Sequence, residues 1–563
     1  MILVYSIIKI FIPKKGVINI IKKNQILEVK ISDVTSTGDG VAKIDNYPVF
    51  VSGGVTDDVL SITVTKTNKT YGFGRINKII TPSPYRVSSP CPIFQSCGGC
   101  DLMHISYPHQ LKIKQNTVIG NLQRIASLHP DKYKFDGIIG AENTLGYRNK
   151  SQLPVGKSHG EVVLGFYKKG SHDIAVCSNC LIQNETINKA ANIFIKYANK
   201  NNLTVYNEKT HKGILRHLYI RMGHKTGEML LTIVTNSHQA LPDTDWLIKN
   251  LQACSDLKGL IQNINTKKTN LILGEENRIL WGENSITSMI DNLKFRISAE
   301  SFFQINGEQT EKLYAKALEY ASLTGNETVF DLYCGVGSIS LFLASKAKKV
   351  IGVEIVEKAI ENAKENAELN GIDNAYFYSG DCAEVVQRLI SKGENADVVV
   401  VDPPRKGCSE ELLSFLNNIS PQKIVYVSCN SATLARDVKI LDGYGYKLDR
   451  VCAVDMFPQS GHIETCVLLS KLKSSKSVSI ELDLDDLEIT AAEAKATYGE
   501  IKEYILNKYG FKVSSLNIAQ VKQECGIIER ENYNKPSGKY RQPKCPEHKF
   551  NAIKEALEHF KMI

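Results

Sequence analysis

The sequence lacks long apolar runs and has few cysteines for its size. Because no stretch approaches ~18 consecutive apolar residues, a membrane-spanning helix is not expected. The 14 cysteines among 563 residues are too few for a disulfide-dense secreted scaffold. The opening MILVYSIIKIFI is short, is interrupted by Lys9 and lacks a small-residue cleavage site, so a signal peptide is not expected either. We therefore expect a cytoplasmic protein with reduced thiols, in which clustered cysteines are candidate metal ligands or nucleophiles.

A strong net charge is also absent. Lys and Arg number 69 against 60 Asp and Glu, a surplus of nine that does not by itself identify a nucleic-acid partner. The distribution is more informative, because residues 1–90 contain twelve basic and six acidic residues whereas residues 326–472 contain fifteen basic and twenty acidic ones. Positive charge is thus concentrated outside the later segment, which is typical of an electrostatic capture surface.

The length predicts several domains, because single domains have a modal size of about 100–150 residues. Short β-like runs separated by turn residues fill residues 17–80 and predict a small β-barrel. Residues 81–290 mix helical and strand-like segments in a central α+β region. Strands and helices alternate within residues 291–472, which predicts a doubly wound α/β domain with a largely parallel sheet. Residues 475–563 are predicted to be a helical C-terminal extension, to which no activity is assigned.

The first candidate site is a glycine turn, D331-L-Y-C-G335-V-G337-S, which follows a predicted strand. Glu354 ends the next predicted strand, where an acidic side chain can bind a ribose diol. Ser340 occupies the position of the third glycine of a dinucleotide-binding motif, which disfavours NAD. S-adenosylmethionine has no phosphate and fits this turn better. The alternative is an ordinary glycine turn without a cofactor.

Three further motifs lie beside later strands of the same predicted sheet: D402-P-P-R405-K-G, S428-C429-N430 and G461-H-I-E464. Because ligands bind at the carboxyl ends of such strands, the Cys429 thiol and Asp402 are expected beside the cofactor. A thiolate there could attack a substrate, although most lone cysteines on strands are inert packing. Amino-methyltransferases acting on exocyclic nitrogens carry an aromatic residue after Pro-Pro. Arg405 in that place weakens an N-methylation hypothesis.

Cysteines cluster in C91-x5-C97-G-G-C100 and in C177-S-N-C180. Three cysteines within ten residues of a reduced protein indicate a metal site. The two C-x-x-C pairs suit a structural zinc ion and would leave Cys91 without a role. The trio plus one distant cysteine instead suits an iron–sulfur cluster. The spacing alone leaves both interpretations open.

Together these motifs resemble the RNA uracil-5-methyltransferase family, in particular the bacterial 23S rRNA (uracil-C5)-methyltransferases. The resemblance runs from about Val17 to Leu472 and includes S301-F-F-Q304-I-N306 besides the motifs above. It implies an OB-like TRAM barrel followed by a Rossmann-like, S-adenosylmethionine-dependent methyltransferase domain. It also implies that Cys429 is the nucleophile and Glu464 the general base. The implied cofactor contacts are Gln304, Tyr333, Glu354 and Asp402, with Asp381 near the adenine.

The resemblance also implies a [4Fe-4S] cluster in the central region. Its ligands would be Cys91, Cys97, Cys100 and Cys180, since the family's fourth ligand precedes an apolar pair and often Gln, as in C180-L-I-Q. One departure concerns Ser431, which stands where the family commonly has proline. A less rigid loop behind Cys429 is expected from it.

The implied reaction is methylation of C5 of a uridine in RNA, with 23S rRNA as the expected substrate and tRNA as the alternative. Attack of Cys429 on uracil C6 would activate C5, and Glu464 would remove the C5 proton after methyl transfer. The target base must leave its stack to reach such a site. RNA is the expected partner, and no obligate protein partner is inferred. Two other hypotheses are an N-methyltransferase acting on RNA or protein, and an RNA-binding metalloprotein with a vestigial cofactor site.

Overall fold

The computed structural model describes residues 21–269, 271–472, 498–525, 545–560 and 562–563. The apolar opening, the linker with its acidic run, and the basic stretch of the C-terminal extension lie outside these residues. The chain divides into two compact units, Met1–Lys473 and Ser474–Ile563. Among the described residues, no helix has both the length and the apolar character needed to span a membrane.

The first unit begins with a closed five-stranded barrel, as predicted from the alternating sequence pattern. Its strands are ordered β1-β2-β3-β5-β4, and the inward-facing side chains, such as Ile31, Val51 and Ile62, are fully buried. Outward-facing side chains alternate with them, because successive residues of a strand point to opposite faces. The strands are β1 (Ile26–Val34), β2 (Asp39–Ile44), β3 (Tyr47–Ser52), β4 (Val59–Thr67) and β5 (Gly72–Thr81).

A long helix and a seven-stranded sheet follow the barrel. The sheet has the order β13-β12-β11-β10-β7-β8-β9, and two helices pack against it around one apolar core. Residues 130–132 form a short 3₁₀ turn. The elements are α1 (Tyr107–Ile125), β6 (Lys134–Ile139), β7 (Lys150–Ser158), β8 (Glu161–Tyr167), β9 (Ile174–Val176), α2 (Glu185–Lys200), β10 (Leu215–Met222), β11 (Glu228–Thr235), α3 (Thr244–Gln252), β12 (Asp256–Ile264) and β13 (Glu276–Gly282).

A two-stranded hairpin then leads into an eight-stranded sheet with helices on both faces. The elements are β14 (Ser285–Ile290), β15 (Leu293–Ser298), α4 (Gly307–Ala321), β16 (Thr328–Leu332), α5 (Ser338–Ala344), β17 (Lys349–Glu354), α6 (Glu357–Leu369), β18 (Ala375–Ser379), α7 (Cys382–Ser391), β19 (Val398–Val401), α8 (Glu410–Ile419), β20 (Lys423–Ser428), α9 (Ser431–Gly443), β21 (Tyr446–Val454) and β22 (Glu464–Lys471). The predicted doubly wound α/β architecture is confirmed.

The strand order of this sheet is β18-β17-β16-β19-β20-β22-β21-β6. The first five strands are parallel, and β22 runs antiparallel to β20. The order reverses between β16 and β19, which creates the crevice where such sheets bind ligands. The edge strand β6 pairs with β21 although it lies within the segment that sequence assigned to the central region. The domain boundaries at 81 and 291 stay predictions.

In the described part of the second unit, three helices share a core of their own. They are α10 (Tyr498–Tyr509), α11 (Ser515–Glu524) and α12 (Glu547–His559). Ser514 and Asn517 form a capping box at the start of α11, which satisfies free backbone donors there. Apolar side chains of all three helices, including Ile505, Ile518 and Ile553, are completely buried.

A buried ion pair joins α1 to the segment that precedes β22. Lys114 and Asp455 form it, and neither side chain is exposed to solvent. The Lys114 ammonium also donates to the Phe457 carbonyl oxygen at 3.0 Å, and the Tyr107 hydroxyl donates to Asp455 Oδ2 at 2.9 Å. Segment 455–463 is therefore held by a charged network that excludes water.

The barrel touches the same segment at very close range. A Cβ built at Gly461 would lie 1.5 Å from the carbonyl oxygen of Ser36, in the turn after β1. Only glycine permits this approach of two backbones. The contact fixes the barrel against the chain immediately before Glu464.

We expect Lys114→Met to lower the free energy of unfolding by about 3–5 kcal/mol, because the Asp455 charge would be left buried without its partner. The midpoint of chemical denaturation of the full chain measures this effect. The control is Lys189→Met, which removes the exposed Lys189–Glu185 pair and should leave the midpoint unchanged. An unshifted midpoint for Lys114→Met would show that the buried pair does not stabilise the fold.

Candidate active site

The antiparallel ladder between β20 and β22 brings two predicted site residues together. Ser428, the last residue of β20, pairs with Thr465, the residue after Glu464. Cys429 follows Ser428 directly, and the Glu464 carboxyl group lies close enough to raise the pKa of its thiol. Glu464 is itself paired with Val454 of β21 and is 2% exposed. The thiol and the carboxyl group therefore meet at the edge of the sheet where the parallel strands end.

The glycine turn and Glu354 form a second part of the same edge. Tyr333 follows β16 with a φ of 67°, and its N–H donates to the Val353 carbonyl oxygen at 2.9 Å. The Gly335 N–H donates to Glu354 Oε2 at 3.2 Å, and the Val356 N–H donates to Glu354 Oε1 at 3.0 Å. The predicted association of the turn with Glu354 is thus present, and the carboxylate is held at the carboxyl end of β17.

Ser340, in the first turn of α5, has a structural role. Its hydroxyl donates to Asp331 Oδ2, and both side chains are completely buried. Burial raises the pKa of Asp331 to about 7, while the Ser340 hydrogen bond lowers it. A serine at this position therefore serves a buried carboxyl group of the neighbouring strand.

The Pro-Pro loop is tied to the helix that follows Cys429. Asn430 Nδ2 and the Thr433 hydroxyl donate to the Arg405 carbonyl oxygen at 3.1 and 3.2 Å. Gly407 has a φ of 80°, and a Cβ there would lie 2.6 Å from Asp437 Oδ2. The loop can hold this course only with glycine, so Asp402 and Cys429 are positioned by one connected set of contacts.

Three acidic groups at this edge have raised pKa values. Burial, followed by the nearby Asp402 carboxyl group, raises the pKa of Glu464 to about 8. Burial and then Asp331 raise the pKa of Asp402 to about 7. Burial followed by repulsion from Glu464 and Asp402 raises the pKa of the Cys429 thiol to about 11. The positive charge of Arg405 lies close to Cys429 and Glu464 and lowers the pKa of both, against the effect of burial.

Two other predicted cofactor contacts have additional roles. Asp381 caps α7, where its Oδ1 accepts the Ala383 N–H at 2.9 Å. Gln304 is buried just before α4, and its carbonyl oxygen accepts from Asn149 Nδ2 at 3.3 Å. Neither contact involves a ligand, so the cofactor roles of Asp381 and Gln304 stay predictions.

A cavity of about 570 Å³ opens above Cys429. Its walls are the barrel segment 33–36 with Val41, one side of α1, and the loops around Arg405 and Gly461. The sequence interpretation missed the part played by α1. Thr117, Asn121 and Arg124 recur at helical spacing, and this polar stripe is the signal that could have indicated it.

Ser431, which departs from the family pattern, is anchored in this cavity wall. Its hydroxyl accepts from Asn121 Nδ2 of α1 at 2.8 Å, and the residue is buried at the start of α9. Asn430 caps the same helix by accepting the Ala432 N–H at 3.1 Å. The loop behind Cys429 is therefore held by a hydrogen bond that proline could not make.

The clustered cysteines line a separate cavity of about 220 Å³. Cys91, Cys97, Cys100, Cys177 and Cys180 all contribute to its wall, and all five are free thiols. Nowhere in the described part of the chain are three or more His, Cys, Asp or Glu side chains arranged to hold a single metal ion. The thiols thus surround a space rather than converge on one point.

The two candidate fourth cysteines differ in their surroundings. A hydrogen bond from Cys177, together with the N–H groups of Ile182 and Gln183, lowers the pKa of Cys180 to about 7 despite burial. The hydrogen bond to Cys180, followed by burial, raises the pKa of Cys177. Apart from the hydrogen bond that the two thiols share, the Ile182 and Gln183 N–H groups favour ionisation of Cys180.

Comparison with known families identifies the chain. The profile of the family described as tRNA (Uracil-5-)-methyltransferase matches residues 106–472, and the TRAM domain profile matches residues 22–76. The first match spans more than half of the chain, from the start of α1 to the end of the eight-stranded sheet.

Individual relatives agree with this assignment. An uncharacterized RNA methyltransferase of Clostridium tetani is 46% identical over 453 residues, which cover 80% of this chain and 97% of that protein. One of Bacillus cereus is 45% identical over 459 residues, covering 80% and 98%. The crystal structure of Pyrococcus abyssi tRNA (uracil-54, C5)-methyltransferase in complex with S-adenosyl-L-homocysteine is similar with a TM-score of 0.63 and 28% identity, over 79% of this chain and all of that one. The chain therefore belongs to the RNA uracil-5-methyltransferase family and is an S-adenosylmethionine-dependent RNA methyltransferase with an N-terminal TRAM domain.

Proposed function

We propose that the protein methylates C5 of a uridine in 23S rRNA through a covalent bond between Cys429 and uracil C6. The observation that carries this proposal is that Cys429, which lines a cavity bounded by the barrel, lies within electrostatic reach of the buried Glu464 carboxyl group. A nucleophile and a general base on neighbouring strands are the two groups that this chemistry requires. The glycine turn with Glu354 lies at the same sheet edge.

The residues of the site account for each step. The Cys429 thiolate bonds to C6, and the electron pair of the C5–C6 double bond moves to C5. S-adenosylmethionine, when bound, supplies the electrophilic methyl group that C5 takes. Glu464 then removes the C5 proton, the double bond re-forms, and the Cys429 thiolate leaves.

The protonation states fit this order of events. With a pKa near 8, Glu464 is mostly protonated at neutral pH, and the fraction present as the carboxylate base increases as pH rises. Cys429, with a pKa near 11, is mainly a thiol before substrate enters, and Arg405 is the nearby charge that favours its thiolate. A thiol that ionises only in the assembled complex is protected from unproductive reactions.

The cofactor site is proposed to consist of Gln304, Tyr333, Glu354, Asp381 and Asp402. Support comes from the geometry of the turn, because Glu354 lies at the carboxyl end of β17, where a carboxylate can accept hydrogen bonds from a ribose diol. Asp381 follows β18 at the same edge, one strand further along the sheet.

The central cavity is proposed to hold a [4Fe-4S] cluster through Cys91, Cys97, Cys100 and Cys180. The chemistry of the donor set supports this, because four thiolates are the usual ligands of such clusters. These four cysteines line one cavity of about 220 Å³ together with Cys177, and a single zinc ion is the alternative occupant. The cluster would supply structural rigidity, since methyl transfer requires no electron.

Two classes of RNA are candidate substrates. The structural relative from Pyrococcus abyssi is a tRNA enzyme, which keeps tRNA as the second candidate. The cysteine quartet and the motif set resemble the 23S rRNA enzymes, and this resemblance is the reason for preferring 23S rRNA.

We expect the protein to form a denaturation-resistant adduct with RNA that contains 5-fluorouridine at the target position. Fluorine at C5 cannot leave as a proton, so the bond to Cys429 persists. Gel electrophoresis under denaturing conditions with S-adenosylmethionine present measures the adduct. Cys429→Ala should form none, whereas Cys254→Ala, a change at a half-buried thiol just after α3, should form as much as wild type. An adduct with Cys429→Ala would refute the nucleophile assignment.

The same assay separates the role of Glu464. With ordinary RNA, Glu464→Gln should lose about 100-fold or more of its turnover. It should also accumulate an adduct, because the C5 proton stays in place. The exposed Glu410→Gln is the control and should turn over normally. Loss of turnover without any adduct would place Glu464 before bond formation and contradict its role as late base.

Deletion of the gene should remove 5-methyluridine from 23S rRNA and leave the nucleosides of tRNA unchanged. Mass spectrometry of nucleosides from the separated RNAs measures both. Wild-type protein should restore the modification, and Cys429→Ala should not. Loss from tRNA alone would establish the second candidate instead.

Protein purified without oxygen should be brown, with broad absorbance near ~400 nm and bound iron. Cys180→Ser should lose the iron and the colour, whereas Cys177→Ser, at the neighbouring thiol, should keep them. The opposite result would assign the fourth ligand to Cys177. Stoichiometric zinc without iron in wild type would refute the cluster.

A further inference from the structure

Three aromatic side chains meet on the outer surface of the barrel. The ring centroids of Phe50, Tyr71 and Phe73 lie 5.6 to 5.9 Å apart, so each ring touches the other two. Tyr71 is 38% exposed and Phe73 is 37% exposed, while Phe50 is half-buried between them. Three adjoining rings that face solvent at this level form an apolar patch rather than scattered surface residues.

The strand registers place this patch in one row across the barrel. Val41 of β2 pairs with Phe50 of β3, and Phe50 pairs with Phe73 of β5. Phe73 pairs in turn with Lys66 of β4. Cross-strand partners lie on the same face of a sheet, so the row is continuous from Val41 to Lys66.

One end of the row enters the active-site cavity. Val41 lines that cavity, and so does Asp33, its partner on β1. Phe73 is two strands away from Val41, a distance of about 10 Å at the usual spacing of strands. The aromatic rings are therefore within reach of nucleotides next to a base that occupies the cavity.

The charge around the row fits a polyanion. Lys66 ends the row, and Arg75 is exposed two residues beyond Phe73 on the same strand. Residues 1–90 as a whole contain twelve basic and six acidic residues. Aromatic rings flanked by Lys and Arg are the combination with which proteins bind single-stranded nucleic acids, because the rings stack on bases and the cations contact phosphates.

We propose that Phe50, Tyr71 and Phe73 form a stacking platform for unpaired bases next to the target uridine in the RNA substrate. The inference rests on the proposed function, since it takes the cavity above Cys429 as the place of the target base. The platform holds the flanking strand, so that extrusion of the target base into the cavity does not release the RNA. Its recognition is tolerant of sequence, because every base offers a face for stacking.

The test measures binding rather than chemistry. All variants carry Cys429→Ala in the full chain, and the probe is a fluorescein-labelled single-stranded oligouridylate measured by fluorescence anisotropy. Phe73→Leu keeps an apolar side chain of similar volume and removes the ring, so it should weaken binding about 10-fold. Phe73→Trp keeps a stacking surface and should bind within twofold of the parent. Ile80→Ala, at an exposed apolar residue of the same strand, is the matched control and should also bind within twofold.

Salt dependence distinguishes stacking from phosphate contact. Phe73→Leu should weaken binding without changing the slope of log affinity against log salt, whereas Arg75→Gln should reduce that slope by about 1. A Tyr71→Leu and Phe73→Leu double variant should lose more than either single one, with thermal unfolding unchanged.

Other outcomes overturn the platform. Binding by Phe73→Leu within twofold of the parent would do so, as would an equal loss with Ile80→Ala or with Phe73→Trp. Stacking would also be refuted if the ring-removing variants bound RNA normally but lost binding to a protein, because the patch would then serve that protein. Because the readout needs no methyl transfer, failure of the platform leaves the 5-fluorouridine adduct intact, and failure of the adduct leaves the binding measurement valid.

Discussion

The buried pair of Lys114 and Asp455 is the interaction on which the architecture of the active site depends. Removing two charges from water is costly, and here the cost is offset by the ion pair, the Tyr107 hydroxyl and the Phe457 carbonyl oxygen. These contacts fix segment 455–463, whose far end delivers Glu464 to the sheet and whose Gly461 receives the barrel. Helix α1, the barrel and strand β22 are thereby joined at one place.

These contacts explain why the TRAM barrel lies beside the Cys429 thiol. The cavity above Cys429 has the barrel as one wall and α1 as another, so a base that enters it is surrounded by elements from three parts of the sequence. The row from Val41 to Lys66 continues that wall outward. Under the proposed function, one continuous surface would hold the RNA strand and receive its target base, which suits a reaction whose target must leave a stack.

The electrostatics of the site reflect the same enclosure. Burial makes every negative charge at this edge costly, and each of Asp331, Asp402 and Glu464 has a raised pKa as a result. Their proximity adds repulsion, so ionisation of one group opposes ionisation of its neighbour. Cys429 and Glu464 are therefore both largely protonated at neutral pH in the protein without substrate.

The sequence by itself determined the barrel strands, the α/β sheet and the motifs at the carboxyl ends of its strands. The reason is that the alternation of apolar and polar residues in strands, and the alternation of strands with helices, are local signals. It also predicted Cys429 and Glu464 as site residues and the clustered cysteines as metal ligands. Only the tertiary structure decided that β6 completes the sheet, that α1 lines the cavity, that Asn121 anchors Ser431, and that the aromatic rings form one row. These arrangements either join residues that are distant in sequence or depend on the register between strands. No local sequence pattern predicts a contact such as that between Lys114 and Asp455, which are 341 residues apart.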